Sequence, residues 1–439
     1  MNNKITSIAD VPRLNLCTSC GTCAGICPTE ALTMVESPKG TYVPVLDESK
    51  CNLCNLCIDV CPGHSVYFKI LNLEIFSTMP EDPLAGTTLN SYLAYSNNES
   101  LRAQGQSGGL VSSLAIFALE ERMIDGAIVT RMSRSNPLRP ETFIARTKEE
   151  IIKASKSKYC PVPAGAIIRR ILGTEGRFAF VGIPCHIHGL RKAEEVNKRL
   201  KDKMKLHFGL FCDRTLNFHF QRHILSKAGV RETDVEGFIY RGKEWRGWPG
   251  DLEIRLKNGE KKHLPREWRM QVKPLFTPQR CYLCFDKLNQ LADISFGDPW
   301  LPELMGHEKG MSVVISRTQP GDNLVLKATD ANLIKCEKLP ISEIVQGQRP
   351  EHKKLLLGKY LSASKILGDG TPRYDVQFAD GTKSSRRGTL AALIDLLVCK
   401  LLATPLLSSI PRYVPMSILG CVSSLRYKIL SQPPTEYRG

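Results

Sequence analysis

Cys17-x2-Cys20-x2-Cys23-x3-Cys27-Pro28 returns 34 residues later as Cys51-x2-Cys54-x2-Cys57-x3-Cys61-Pro62. Eight thiols at these spacings are the ligand set of two [4Fe-4S] clusters. Three cysteines in one tight loop wrap three irons of a cube. The fourth, ahead of a proline, is expected to start a helix that points away and to ligate the other cube. The pattern assigns Cys17, Cys20, Cys23 and Cys61 to one cluster, and Cys51, Cys54, Cys57 and Cys27 to the other. Zinc usually takes four ligands as two separated pairs, and a disulfide framework needs a secreted context. A chain with this stretch carries electrons.

Working outward, residues 1–80 read as a ferredoxin-like module, with a short strand at 40–45 between the cysteine loops. Segment 77–90, rich in Pro, Thr and Gly, reads as a linker. The chain has 439 residues, enough for two or three domains. Sixteen cysteines behind an N-terminus with no secretory pattern argue for a reducing compartment and a cytoplasmic protein. The formal net charge is +16, yet residues 1–80 carry −2, which leaves +18 on the remainder. A basic body suits anionic partners. No nucleic-acid recognition motif accompanies the charge, and the run Lys198–Lys205 reads as a solvated helix end and turn, so nucleic acid is not expected.

In the body, Gln104–Gly109 is a glycine-rich loop that opens onto an apolar helix, a setting that suits phosphate. Strands are expected at 125–130, 142–145, 177–182, 205–212 and 292–298, a hairpin around Asn258-Gly259, and helices near 148–155 and 216–228. Strands alternating with helices imply an α/β or mixed core. Cys185 and Cys212 fall at the carboxyl ends of strands, where open α/β sheets place ligands. With the pair Cys281-x2-Cys284 they could hold one more [4Fe-4S] cluster, or zinc; dispersed ligands have no spacing that decides. Cys160, Cys336, Cys399 and Cys421 are isolated and read as unliganded.

From about residue 350 the composition shifts: residues 351–439 hold 13 Lys/Arg against 6 Asp/Glu. The apolar runs 390–410 and 413–425 are interrupted by Asp395, Lys400, Pro415 and Gly420, and neither is a convincing membrane span. Two readings stay open for them: a helix packed on the protein's own core, or an interfacial helix in peripheral contact with a membrane or docked on a partner.

Gln106-Ser107-Gly108-Gly109, Ser157-Lys158-Tyr159, Val181–Cys185, Gly209–Cys212, and Cys281-x2-Cys284-x-Asp286 leading to Ala292–Asp298 resemble the signature segments of the coenzyme F420 hydrogenase/dehydrogenase beta-subunit family. The resemblance covers about residues 1–350, and members often carry a ferredoxin module in front. It implies an α/β (mixed α+β) fold in which a ferredoxin-like 2[4Fe-4S] module precedes a flavin-binding body. The expected domains are 1–80, 81–165, 166–350 and a basic, partly apolar extension 351–439. The resemblance also implies FAD, a third [4Fe-4S] cluster on Cys185, Cys212, Cys281 and Cys284, and a flavin pocket lined by Ser107, Gly108, Gly109, Ser157, Lys158, Tyr159, Gly182, Pro184 and Asp298. Where members more often have glutamine after the cysteine, this chain has His186-Ile187-His188, read as packing or hydrogen-bonding residues.

The function so implied is oxidoreductase electron transfer between reduced coenzyme F420 and a redox protein partner, by way of FAD and the clusters. Two alternatives stand beside it. One is a ferredoxin-linked FAD reductase acting on another small-molecule substrate, such as in surface-polysaccharide synthesis. The other is a non-catalytic electron-transfer subunit.

Overall fold

The computed structural model describes residues 5–305, 307–376, 386–404 and 406–431. Among them, eight strands form one mixed sheet: β1 (Asn90–Ser96), β2 (Gly126–Met132), β3 (Pro140–Ala145), β4 (Phe178–Gly182), β5 (Met204–Leu210), β6 (Ile294–Gly297), β7 (Ser312–Ser316) and β8 (Ile334–Lys338). Their order across the sheet is β8-β1-β7-β6-β5-β4-β2-β3. The central four, β6, β5, β4 and β2, run parallel, and the outer strands are antiparallel. Alternation explains how the sheet is covered on both faces. Phe178 and Phe180 pack into one apolar core and Ala179 into the other, as a period of two requires.

Helix α1 (Leu110–Glu120) follows the glycine loop, and α2 (Pro184–Val196) follows β4 with proline in its first turn. The expected Asn258-Gly259 hairpin joins Asp251–Leu256 to Lys261–Leu264 with Gly259 at φ +88°, and Val235–Gly242 completes a three-stranded sheet. Helix α3 (Arg266–Phe276) leads from it back to the cysteine pair.

The module contains a hairpin, Leu32–Glu36 against Tyr42–Leu46, where the sequence suggested a single strand. Segment 77–90 is held against the body: Gln290 donates to the carbonyls of Pro83 and Leu84 (both 3.0 Å), and buried Arg317 donates to that of Ala85 (2.8 Å). Composition alone does not show such anchors.

Beyond residue 350 come α4 (Pro350–Ile366), α5 (Arg386–Leu402) and α6 (Met416–Ser431). Tyr360, Ala363, Ala392, Leu396 and Leu430 share one core with Ile8, Val11, Leu16 and Cys23 of the module and Tyr282 of the body. The C-terminal helices thus clamp the module to the body. Arg373–Tyr374 adds a two-residue parallel strand to Ser65–Val66.

Candidate functional site

The eight leading thiols gather around two cavities. Cys17, Cys20, Cys23 and Cys61 line one, with Ile8, Val11 and Met34. Cys27, Cys51, Cys54 and Cys57 line the other, beside Leu46 and Leu53. Each set takes three thiols from one loop and the fourth from the other, the crossed grouping expected from the spacing, but Cys27 and Cys61 are followed by turns and not by the expected helix. The repeat extends to the backbone. Ser19 and Gly21 have φ +60° and +79°, and their counterparts Leu53 and Asn55 have φ +59° and +62°. Left-handed backbone is uncommon at Ser and Leu, so the two loops are bent alike by the same task of wrapping a common centre. The inner set is sheltered, with Cys20, Cys23 and Cys61 buried; in the outer set Cys54 is exposed.

The third group comes from three segments. Cys185 lies in the first turn of α2, Cys212 just past β5, and Cys281 and Cys284 at and after the short helix Gln279–Tyr282. Cys185 lies within the field of Cys212, Cys281 and Cys284, and also of Cys20. Burial pushes Cys212 up to about 12, and burial likewise raises Cys185 and Cys281. All four thiols are half-buried.

Three buried cations border these groups. Lys353 of α4 donates to the carbonyls of Cys212 (3.1 Å) and Asp286 (3.3 Å). Arg280 donates to the carbonyls of Pro62 (3.0 Å) and Gly63 (3.1 Å), in the field of Cys284, Cys281 and Cys17. Lys192 donates to the carbonyls of Ser65 (2.6 Å) and Cys61 (3.2 Å), and burial draws it down to about 8.

Of the residues expected around a flavin, Ser107, Gly108, Gly109, Tyr159 and Asp298 lie near the carboxyl edge of the parallel strands. Asp298 follows β6. Gly108 sits against Ala94 and Ser312 at the same edge, and its N–H donates to Ser312 Oγ (2.9 Å). A Cβ on Gly108 would stand 2.7 Å from the Ala94 carbonyl oxygen, and Gly109 has φ +79°. Asp298 accepts two bonds from Arg241 (2.7 and 3.0 Å) and one from Trp248 Nε1 (2.7 Å). Burial would raise its carboxyl, but Arg241 holds it below the usual range. Arg241 also donates to the Tyr159 hydroxyl (3.2 Å), and Ser107 donates to the Met311 carbonyl. Ser157 is half-buried in the loop that carries Tyr159.

Lys158 points elsewhere. Its amine donates to the carbonyls of Ser155 and Lys156 (both 2.8 Å) and of Ala154, closing the end of helix Lys148–Lys153, and burial draws it down to about 7. It shapes the loop that presents Tyr159. Gly182 and Pro184 join β4 to α2, and the Gly182 carbonyl accepts from Asn289 (2.9 Å). His188 bonds buried Asp286 (2.8 Å), and burial lowers His186 to about 4; both lie in the interior, away from solvent.

Arg241, Trp248, Asn289 and Lys353 escaped the sequence reading. Arg241 comes from the three-stranded sheet, Trp248 from the loop between two of its strands, and Lys353 from the C-terminal helices; no local spacing links them to the cysteines. Cations also crowd the glycine loop. Lys243 donates to the Ser107 (3.1 Å) and Arg102 (2.6 Å) carbonyls, and burial together with the fields of Arg102, Lys156 and Arg241 draws it to about 8.

These features define a class: an iron–sulfur protein whose [4Fe-4S] dicluster module is docked on a mixed α/β body. The chain belongs to the coenzyme F420 hydrogenase/dehydrogenase beta-subunit family. The family models described as the beta subunit N-term and C terminus match residues 91–169 and 175–341, and a 4Fe-4S dicluster domain matches residues 16–64. It is 29% identical to the coenzyme F420-dependent sulfite reductase of Methanocaldococcus jannaschii, over 82% of this chain and 53% of that protein. It thus spans about half the length of that relative. It is 28% identical to the coenzyme F420 hydrogenase subunit beta of Methanothermobacter thermautotrophicus, over 65% of this chain and 99% of the relative. A chain of the F420-reducing [NiFe] hydrogenase complex from Methanosarcina barkeri shares the fold, with TM-score 0.53, 23% identity, and coverage of 67% of this chain and 98% of that one.

Proposed function

We propose that this protein is an iron–sulfur flavoprotein oxidoreductase that takes electrons from reduced coenzyme F420 at the body edge and delivers them one at a time to a redox partner. The observation that carries the reading is the bridge made by Arg280, which stands next to Cys281 and donates to the carbonyls of Pro62 (3.0 Å) and Gly63 (3.1 Å), next to Cys61. It links the body thiols to the inner thiols of the module, so the three cysteine groups form one series from the sheet edge to exposed Cys54.

FAD, when bound, supplies the conversion of a two-electron hydride into single electrons, and [4Fe-4S] centres pass them on singly. The residues at the edge fit a phosphate-bearing cofactor. Arg102, Lys156, Arg241 and Lys243 concentrate positive charge around the glycine loop against Asp298. Helix α1 begins there without a side-chain cap, which leaves its first N–H groups available to an anion. Gln106 Oε1 is buried without a hydrogen-bond partner among the described residues. Trp248 and Trp300, with ring centroids 5.2 Å apart, supply an apolar wall. Arg241 fixes Asp298 and Tyr159 together, so the pocket is oriented before a ligand arrives. The same positive field would draw in an anionic deazaflavin and its acidic tail.

The test is anaerobic reconstitution followed by mixing with reduced F420. About 12 iron and one FAD per chain are expected, at four irons per centre, with reoxidation of the deazaflavin seen optically. Cys281→Ser should lower the iron to about 8 and leave the flavin in place. A preparation that holds flavin yet never reacts with reduced F420 refutes the substrate; one that never holds flavin refutes the flavoprotein reading.

A further inference from the structure

We infer that α5 and α6 form a face that seats this protein on the surface of a bilayer rich in anionic lipid. Both helices pack on α3 and on each other, and they bury Ala392, Leu396, Cys399, Leu419 and Leu430. Yet each keeps a second apolar stripe outside. On α5 it is Leu390, Ile394, Leu397 and Leu401, exposed by 41 to 57%. On α6 it is Ile418, Val422, Leu425 and Ile429, exposed by 43 to 62%. The spacing i, i+4, i+7, i+11 is the same in both, and it puts each set on one side of its helix. Between the helices Leu406 and Tyr413 are 88% and 85% exposed. Single exposed apolar residues need no explanation, but two aligned stripes on adjacent helices make a patch of the kind that marks an interaction surface.

Charge selects the occupant. Residues 386–431 contain six Lys/Arg and one acid, Asp395. That acid is buried and accepts from Arg426 (2.6 Å) and Tyr360 (2.6 Å). The outward charges, Arg386, Arg387 and Lys428 among them, are therefore all positive. Aliphatic stripes flanked by Arg and Lys, with Tyr413 and Tyr427 at the rim, are the composition of an interfacial helix. A protein-binding patch tends instead to concentrate Trp, Tyr, Met and Arg at its core. At 17 and 16 residues the helices are about 25 Å long. Among the described residues no helix is long and apolar enough to cross a membrane. The two can lie in the plane of the headgroups. This segment is also outside the matched family regions, which end at residue 341.

The test floats the full-length, cluster-loaded protein with phosphatidylcholine vesicles, with and without phosphatidylglycerol. Binding is expected only with the anionic lipid and should fall as salt rises. Arg386→Gln with Arg387→Gln should weaken partition by about five-fold per charge. Ile394→Glu with Val422→Glu should abolish it while the cluster absorbance stays. Should that double variant fail to fold, a polarity-sensitive fluorophore on exposed Cys421 of the unaltered chain reads the same contact: its emission should shift blue with anionic vesicles alone. Absence of flotation and of the shift overturns the proposal. So does a dimer in solution that Ile394→Glu dissociates, which would make the face a contact between two copies.

Discussion

Lys353 is a single cation placed where it acts on three thiols at once. It bonds the Cys212 carbonyl and stands in the field of Cys284, Cys212 and Cys281. A positive charge stabilises the more negative, reduced state of a centre held there, so its removal should lower the potential. Lys353→Met is expected to shift one of three midpoints downward, on the order of tens of millivolts, in an EPR-monitored titration; three unmoved midpoints would count against the role. Glu74 offers a second test. A hydrogen bond with Glu195 of α2 first, and then burial, raise it to about 7. A carboxyl raised above its unfolded value is protonated in the fold, so its stabilisation is full below about 4.5 and fades as pH rises through about 7. The thermal midpoint of the natural protein should therefore drop between about pH 5 and about pH 8 more than that of Glu74→Gln. Equal slopes would show that the pair does not matter.

At the scale of elements, the seam between module and body is built on glycine. A Cβ on Gly189 of α2 would stand 2.3 Å from Thr22 Oγ1, one on Gly165 2.5 Å from the same atom, and one on Gly25 2.1 Å from the Gly165 carbonyl oxygen. The close approach lets the Gly165 N–H donate to the Cys20 carbonyl (2.7 Å). Gly189→Ala should cost about 1–3 kcal/mol by overpacking, read as a lower melting midpoint. Adding Thr22→Ala should return part of that loss; strictly additive effects would mean that the two residues do not meet. This seam could not be read in advance, because nothing in the sequence ties Gly189 to Thr22. Five strands of the main sheet were legible as short apolar runs between turn residues, whereas Asn90–Ser96, Ser312–Ser316 and Ile334–Lys338 went unread. The leading thiols were legible because their spacing is the geometry of their task. Cys185 and Cys212 were placed by strand ends, but Arg241 and Lys353 act through contacts between distant segments and carry no local pattern.

The whole molecule is less modular than its sequence suggests. The ferredoxin-like part, the body and the last helices share a core around Leu16, Tyr282 and Tyr360. A composition shift near residue 350 marks a change in surface chemistry while the packing runs on through it. The apolar runs beyond it bear out the reading of helices packed on the protein's own core. Their inner sides are core, and their outer sides are free to meet another surface. Charge is divided in the same way, with a slightly acidic module against a basic remainder.

Exposed Cys54 and buried Cys20, Cys23 and Cys61 set an order for the protein's birth. A scaffold that delivers iron and sulfide can reach the outer thiols of the finished fold. The inner thiols lie behind the seam and the C-terminal clamp, so their loading is expected before the chain closes over them. Assembly should then be sequential, and decay should run the other way. With a chelator under air, iron should leave in two phases, the faster one removing the centre at Cys54. Uniform loss of all iron at one rate would show that the seam opens as readily as the surface.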